Sequence, residues 1–504
     1  MVSGQAAGYK PLWYVLITPV GGTGQDVSYY VSDGGQGGTV IDVTDATTDR
    51  TSTCTVSLWD HENLGLLTQF GVGAQTEIWS DTKQSASSVL QTATVTTTGI
   101  SLPVKSWVSC SSTTLQTSTS MDGQTWTPFV AVGANGSIQS PPYRWIRVNS
   151  GSATVTYLSM PKRITGIVLQ VQTGQDGPAI KTVQLSGNDY TTVLLNSLIS
   201  VAYQNEAPDV IIKNILSTYF PTITSNNVQT GAPLIDYVQF FHKSAFDCFN
   251  QLSQITGWDW YVDQNKDFHW FNAANNLATV VLSSVGPGAN IVKGSAQFTS
   301  DGSQLKNKIT FYGGSYLSNP WAEYQTGDGQ RKTFFTTYPI AAVPVVYVNG
   351  TQKIVGVDGT DVNRDFYYVI GKNYVRQDSS EAALASTDVL EVLYQYHVPL
   401  IEQAQVDDSI AKYGLFEYAM TDASVKDRTQ ARAMIQGQLQ EYAYPKINGT
   451  LDTWEPTLAS GQMVTVNVPD QGINNVAMKI TQVEHQISAT EYDITVTLQG
   501  QVTP

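Results

Sequence analysis

The chain has little cysteine: Cys54, Cys110 and Cys248 are far apart and form no C-x-x-C pair. A sparse, odd set of thiols excludes a disulfide framework and a thiolate metal site, and fits folding in a reducing cytoplasm. Histidine is equally thin. His61, His242, His269, His397 and His485 are dispersed, with no H-x-x-x-H or H-E-x-x-H spacing that would put two imidazoles on one metal. His242 and His269 flank aromatic stretches and read as packing histidines. Charged residues make up only 14% of the chain, and the net charge is −15. Phosphate contacts need clustered Lys and Arg, so this balance excludes a nucleic-acid-binding protein, though not nucleic acid sliding past a surface that repels it. No stretch approaches the roughly 18 uninterrupted apolar residues of a membrane span, so no membrane insertion is expected. Residues 1–10 lack the basic and apolar regions of a secretion signal. There is no G-x-S-x-G elbow and no cysteine signature beside a base. Asp407-Asp408, if in a strand, points its carboxylates to opposite faces, which is no geometry for an acid/base pair. The expectation is a protein that is not an enzyme and takes no cofactor and no metal.

What is present is strand-forming. A length of 504 residues calls for about three to five domains. Glycine, serine, threonine, asparagine and glutamine are abundant, and period-two alternation recurs along the chain. The expected fold class is mainly β with some α, multidomain: β-barrel-like domains, a small α+β domain and an inserted β-sandwich. Strands are read at 13–20, 39–43, 53–59, 74–79, 164–171 and 179–185. They form a first β domain over 1–84 that resumes at 163–195, with a turn or short helix at 60–67. Residues 85–162, rich in Ser, Thr and Gln, read as the insert. The Gly-rich stretch 33–38 precedes a strand rather than a helix, so it reads as a connecting loop and not a phosphate cradle.

Residues 196–275 read as the α+β domain. Pro208 opens a helix over 208–219 through Val210, Ile211, Ile215 and Leu216, and Ser244 caps a second over 245–256 that Gly257 ends. Trp258 to Val262 and Phe268 to Phe271 then form a hairpin. Its turn, Asp263-x-Asn265-x-Asp267, opens like a calcium loop, but Phe268 and Ala274 stand where the sharp-turn glycine and the bidentate glutamate belong. A polar turn is the reading. Residues 276–405 read as a second β domain, with strands at 305–313, 366–370 and 389–396 and an Asn349-Gly350 hairpin. Residues 406–504 are a helix followed by strands. Ser424 to Asp427 fits a capping box, Ala431, Met434, Ile435, Leu439 and Tyr442 make an apolar face, and Pro445 stops the helix. Val464, Val466 and Val468, then Tyr492, Ile494, Val496 and Leu498, alternate as strands.

Two resemblances follow from these residues. In the insert, Ser118-Thr-Ser-Met-Asp122-Gly123-Gln-Thr-Trp126 and Tyr143-Arg-Trp145-Ile-Arg147-Val148 resemble strands of discoidin-like carbohydrate-binding modules. That implies Trp126, Tyr143 and Trp145 as possible glycan-binding residues. The alternative is turn-supporting aromatics, as in the related Asp-Gly-Trp turn of sialidases. The run Asp408-Ser-Ile-x-x-Tyr-Gly414, the Leu458-x-x-Gly-Gln-x-Val-x-Val466 strand and the closing pair from Ile480 to Leu498 resemble the C-terminal part of tailed-bacteriophage tail-hub proteins. The helix, Thr256-Gly-Trp258 and aromatic hairpin resemble the same family.

The hub resemblance implies a virion protein at the tail tip, made in the host cytoplasm. It implies a homotrimeric ring that adapts the sixfold tube to a threefold tip and through which the genome passes. The implied partners are sister copies, the tail tube or distal tail protein, the tape-measure protein, and a receptor-binding or fibre protein. DNA would meet the ring only in transit, and the insert would face a host surface glycan or simply decorate. Two alternatives stay open: a host-glycan-binding adhesin that uses the insert, and a cell-wall hydrolase. Against the last, the sequence after the strand at 492–498 leaves no room for a catalytic domain.

Overall fold

The computed structural model describes residues 11–32, 38–48, 50–60, 69–82, 88–141, 143–176 and 180–501. His61, residues 33–37 of the Gly-rich loop, most of the turn or helix read at 60–67 and the first residues of the insert lie outside them. The fold is mainly β with four α-helices among the described residues, and no sheet there closes into a barrel. The chain divides into two units, 1–304 with 445–504, and 305–444.

A 13-stranded sheet organises the first unit. Its path runs Gln25–Asp26, Pro11–Thr18, Gln75–Thr82, Lys162–Asp176, Ile180–Asp189, Thr53–Asp60, Thr39–Ala46, Ile473–Ser488, Tyr492–Gln501, Lys446–Thr453 and Gln297–Asp301. Met463–Val468 pairs with Ile473–Ser488, and Leu277–Ser283 adds to it in parallel. Strands from the two ends of the chain therefore share one ladder, joined where Thr39–Ala46 meets Ile473–Ser488. Alternation sets the register. Val56, Leu58, Ile41, Val43, Val483, Ile487, Ile494, Val496 and Leu498 all lie in one buried cluster. Each such side chain contributes about 1.5–3 kcal/mol on burial, and a one-residue slip would turn all of them to water.

The insert leaves this sheet and returns to it. Ile164 pairs with Ile78 across the gap, so the strand after the insert resumes beside the one before it. Between them, Val130–Ala131, Gln116–Ser120, Trp145–Val148 and Ile100–Ser101 form one small sheet, and Val89–Thr96, Ser152–Ser159 and Val104–Cys110 another. Val95, Trp107, Ile146, Val148, Val155 and Tyr157 from both sheets share one core.

The α+β body has a core of its own around Ile211, Ile215, Phe249, Leu252, Trp260, Phe268 and Trp270. Helix α1, Pro208–Tyr219, begins with proline where the missing N–H costs nothing. Helix α2, Ala245–Thr256, is capped by Ser244, whose Oγ accepts the Asp247 amide at 3.1 Å, and stops at Gly257 with φ +71°. Asp259–Val262 and Asp267–Phe271 form the hairpin, with Trp260 and Phe268 stacked at 5.4 Å. Its turn is polar: the Asp263 carboxylate accepts the Asn265 and Asp267 amides, each at 2.8 Å.

In the second unit, Lys308–Leu317 lies between His397–Gln405 and Glu417–Asp422, and α4, Arg428–Tyr442, covers one face. Ile309, Phe311, Leu400, Ala431, Ile435 and Leu439 fill the space between. Two four-stranded sheets share a further core of Phe334, Val346, Phe366, Val375, Leu390 and Val392. Asn349 and Gly350 both take positive φ, +50° and +78°, as a two-residue hairpin turn requires.

Two details of this unit differ from the sequence reading. The α4 cap is Asp427, whose carboxylate accepts the Thr429 and Gln430 amides at 2.7 and 2.9 Å. Ser424 is instead drawn into a turn, donating its hydroxyl to Asp422 at 2.6 Å. Asp407 and Asp408 begin helix α3, Asp407–Tyr413, where carboxylates sit well against the helix dipole. Gln405, where a boundary is read from sequence, is the last residue of the His397–Gln405 strand, within this unit.

Candidate functional site

Behind its core, the large sheet presents a polar face. Ser186, Thr55, Asp42, Gln486 and Asp493 are Cα partners in one row across neighbouring strands. Asn188, Thr53, Thr44, Glu484, Thr495 and Asp452 form the next row. Gln482, Thr497 and Thr450 follow. All are outside the buried class, as the out-facing half of an alternating strand should be. These rows carry the carboxylates Asp42, Glu484, Asp493 and Asp452 and no lysine or arginine of their own, although Arg50 Nη1 donates to Gln482 at 3.0 Å and Lys479 stands in the next row, opposite Gln499. Burial, and then the neighbouring Glu484, push Asp42 up to about 6. Asp493 is raised by burial and then by Glu491 and Asp452. Hydrogen bonds tie the face into a lattice: Thr495 Oγ1 donates to Asp452 at 2.7 Å and Gln486 Nε2 to Glu484 at 2.6 Å. Such a surface repels a polyanion. It offers no clustered donors for a phosphate.

On the opposite face, the row Cys54, Val43, His485 and Ile494 places a histidine in the core. His485 Nδ1 lies 3.0 Å from Tyr492 Oη, which lies 2.9 Å from Ser80 Oγ. Burial, and then the Arg163 charge, hold His485 well below its ordinary pKa, so the ring is neutral. Arg163 bonds Ser80 through Nε and Nη2 and reaches the Pro456 carbonyl through Nη1 at 2.6 Å. Ser80, His485 and Tyr492 are buried and Arg163 partly so, and the network joins the N- and C-terminal strands.

In the insert, Trp126 and Trp145 come to either side of Ser120, each bridging to it across the sheet, and Tyr143 lies two residues before the Trp145–Val148 strand, its amide bonded to the Pro141 carbonyl at 2.8 Å. All three are partly exposed. Their rings also serve the turn. Trp126 Nε1 donates to the Gly123 carbonyl at 3.0 Å, and the Arg147 guanidinium lies 4.2 Å over the Trp126 ring. Trp145 lies against Gly123, where any Cβ would meet the indole at 2.9 Å; with φ +76° only glycine suits the position. Although burial raises its pKa, amide bonds from Thr125 and Gln124 bring the Asp122 carboxyl down to about 2.

Residues 397–499 match the protein family described as YQBQ-like. No curated protein matches the sequence. Among solved structures, the chain is similar to a 43 kDa tail protein of prophage MuSo2 from Shewanella oneidensis, at 11% identity and a TM-score of 0.47, over 96% of this chain and 98% of that one. It is similar to a tail protein from Neisseria meningitidis MC58 at 9% identity and TM-score 0.45, over 97% and 96%. It is also similar to prophage tail protein gp18 from Listeria monocytogenes EGD-e at 9% identity and TM-score 0.45, over 96% and 94%.

The remaining polar residues stay apart. His242 is not a packing histidine: it sits exposed at φ +46° on a bulge, its ring 4.4 Å from Phe241. His269 stacks on Tyr261 and lies 3.4 Å from Asp263. His397 is exposed near Ser315. Cys54, Cys110 and Cys248 are buried and unbridged, and burial pushes the Cys54 and Cys248 thiols up to about 12. Among the described residues no group of three His, Cys, Asp or Glu side chains is placed to hold a metal. Sequence reading missed Asp42 as a partner of Glu484. Both lie in alternating strands, but nothing local says that those strands pair.

Proposed function

We propose that the chain is a structural tail-hub protein of a tailed bacteriophage, acting as a homotrimeric ring at the distal end of the tail tube through which the genome passes. One observation carries this reading: a single sheet, built from both ends of the chain, presents a polar face whose carboxylates have no cation in their rows. As a channel lining, that face would let DNA slide without holding it. The edge strand Leu277–Ser283 supports an assembled state. Leu277 and Val281 are 68% and 50% exposed, and the strand carries no lysine or proline to blunt it. In this reading the chain meets the tail tube or distal tail protein on one side and a receptor-binding or fibre protein on the other. The tape-measure protein occupies the channel, and no bond is made or broken.

Native mass spectrometry and electron microscopy of the tail, or of the chain with its tube partner, test this. A threefold ring with Asp42, Glu484 and Asp493 facing the channel is the expected result. Copies that enclose no channel, or that bury this face against protein, would overturn it. The juxtaposition of Trp126 and Trp145 about Ser120 favours a second, subordinate reading, in which the insert binds a host glycan. Glycan-array binding by the full chain that is lost in Trp126→Ala and Trp145→Ala would support it, and no binding would dismiss it.

A further inference from the structure

The α+β body and the large sheet have separate apolar cores that share no buried residue. Ile167 of the sheet packs against the body's core, and Tyr190 and Leu194 run into it directly from the Ile180–Asp189 strand; on the hairpin side the join is polar and converges on one carboxylate. Asp259 opens the hairpin strand of the body and is only 5% exposed. Its Oδ1 accepts Thr48 Oγ1 at 2.9 Å, from the chain just beyond the Thr39–Ala46 strand. The same oxygen accepts Lys479 Nζ at 2.6 Å, from the Ile473–Ser488 strand. The body, the N-terminal strands and the C-terminal strands thus meet at a single atom. Thr48 is held by its backbone too: its amide donates to the Trp260 carbonyl at 2.9 Å.

Thr48 adopts φ +61°. A β-branched residue in the left-handed region is an outlier, costing on the order of 1–3 kcal/mol and persisting only where its surroundings force it. Here the forcing contacts are those with Asp259 and Trp260. Remove them and the backbone at Thr48 gains by relaxing, so the strain favours release. Beside this join the Phe271 ring of the body lies against Gly461, as does the Thr47 side chain. Polar joints between bodies with their own cores are where relative motion is expected.

We propose that Asp259 is a releasable latch: with Lys479 and the strained Thr48 it holds the Asp259–Val262 edge of the α+β body against the sheet, and its opening lets that edge part from the sheet while the body stays folded. The inference concerns the single chain and does not depend on the ring reading.

Hydrogen exchange followed by mass spectrometry on the full-length chain tests it, comparing wild type with Asp259→Asn and Lys479→Met. Asp259→Asn removes the charge but keeps an acceptor for Thr48, and Lys479→Met leaves Asp259 untouched. The expected result in both variants is at least tenfold faster exchange at the Thr48 and Trp260 amides, which cross the join, with α1, α2 and the hairpin ladder exchanging as in wild type. Unchanged exchange at Thr48 in both variants would overturn the proposal. So would loss of protection in α1 and α2 together with the joint, because the body would then be unfolding rather than parting at this edge. If Asp259→Asn fails to fold, Lys479→Met alone decides between the same outcomes.

Discussion

Tyr492 and Ser80, 412 residues apart in sequence, face each other inside the large sheet with Oη and Oγ 2.9 Å apart. The tyrosine hydroxyl also reaches His485, so one phenol serves both a buried serine and a buried neutral imidazole. Tyr492→Phe leaves both without that partner. The expected cost is about 1–3 kcal/mol for stranded buried polar groups, read as a lower urea midpoint. Ser80→Ala, which keeps the His485 bond, should cost less.

Asp42 provides a pH dependence with a definite sign. Its folded pKa, raised to about 6 by burial and then by Glu484, lies above that of an unfolded aspartate, about 3.9. The folded state therefore binds this proton more readily. The contribution is fully present below about pH 4 and is lost as pH rises through about 6. Asp42→Asn should raise the denaturation midpoint relative to wild type at pH 7.5, with the difference shrinking towards pH 4. Equal midpoints at both pH values would count against the account.

At α4, the two candidate caps separate cleanly. Asp427→Ala removes the acceptor of two helix-start amides and should cost about 1 kcal/mol, with faster exchange in the first turn. Ser424→Ala should stay within about 0.5 kcal/mol, the range of surface changes away from structural features.

In the α+β body, Trp260 is fully buried against Phe249 and Phe268, with Nε1 donating to Asn250 at 3.0 Å. Trp260→Ala should cost about 3–5 kcal/mol as a cavity-forming change. Thermal melts followed by tryptophan fluorescence report it.

Much of this body was legible in the sequence, because its signals are local. Pro208, Ser244 and Gly257 punctuate the two helices by their own backbone chemistry, and the aromatic hairpin follows from alternation about a polar turn. The capping of α4 was misplaced by three residues. Ser424 and Asp427 are both good caps, and only the competing Asp422 carboxylate, which takes the serine hydroxyl, decides between them. The polar sheet face was the least legible feature. The alternation of the Ile473–Ser488 strand is plain, yet its pairing with Thr39–Ala46 is fixed by burial shared between distant segments. No periodicity within either strand encodes that. In the insert the sequence offers both a glycan-facing and a turn-supporting use for the aromatics, and what it lacks is the particular contacts, Trp145 on Gly123 and Trp126 under Arg147.

The ladder between Thr39–Ala46 and Ile473–Ser488 has a consequence during synthesis. The first strand leaves the ribosome long before its partner exists, and at ~5–20 residues per second the delay is on the order of tens of seconds. Throughout that time its flank is an open template for any other nascent copy. Overproduction should therefore yield aggregates seeded by truncated chains ending before residue 473, and slower translation should worsen the yield rather than improve it.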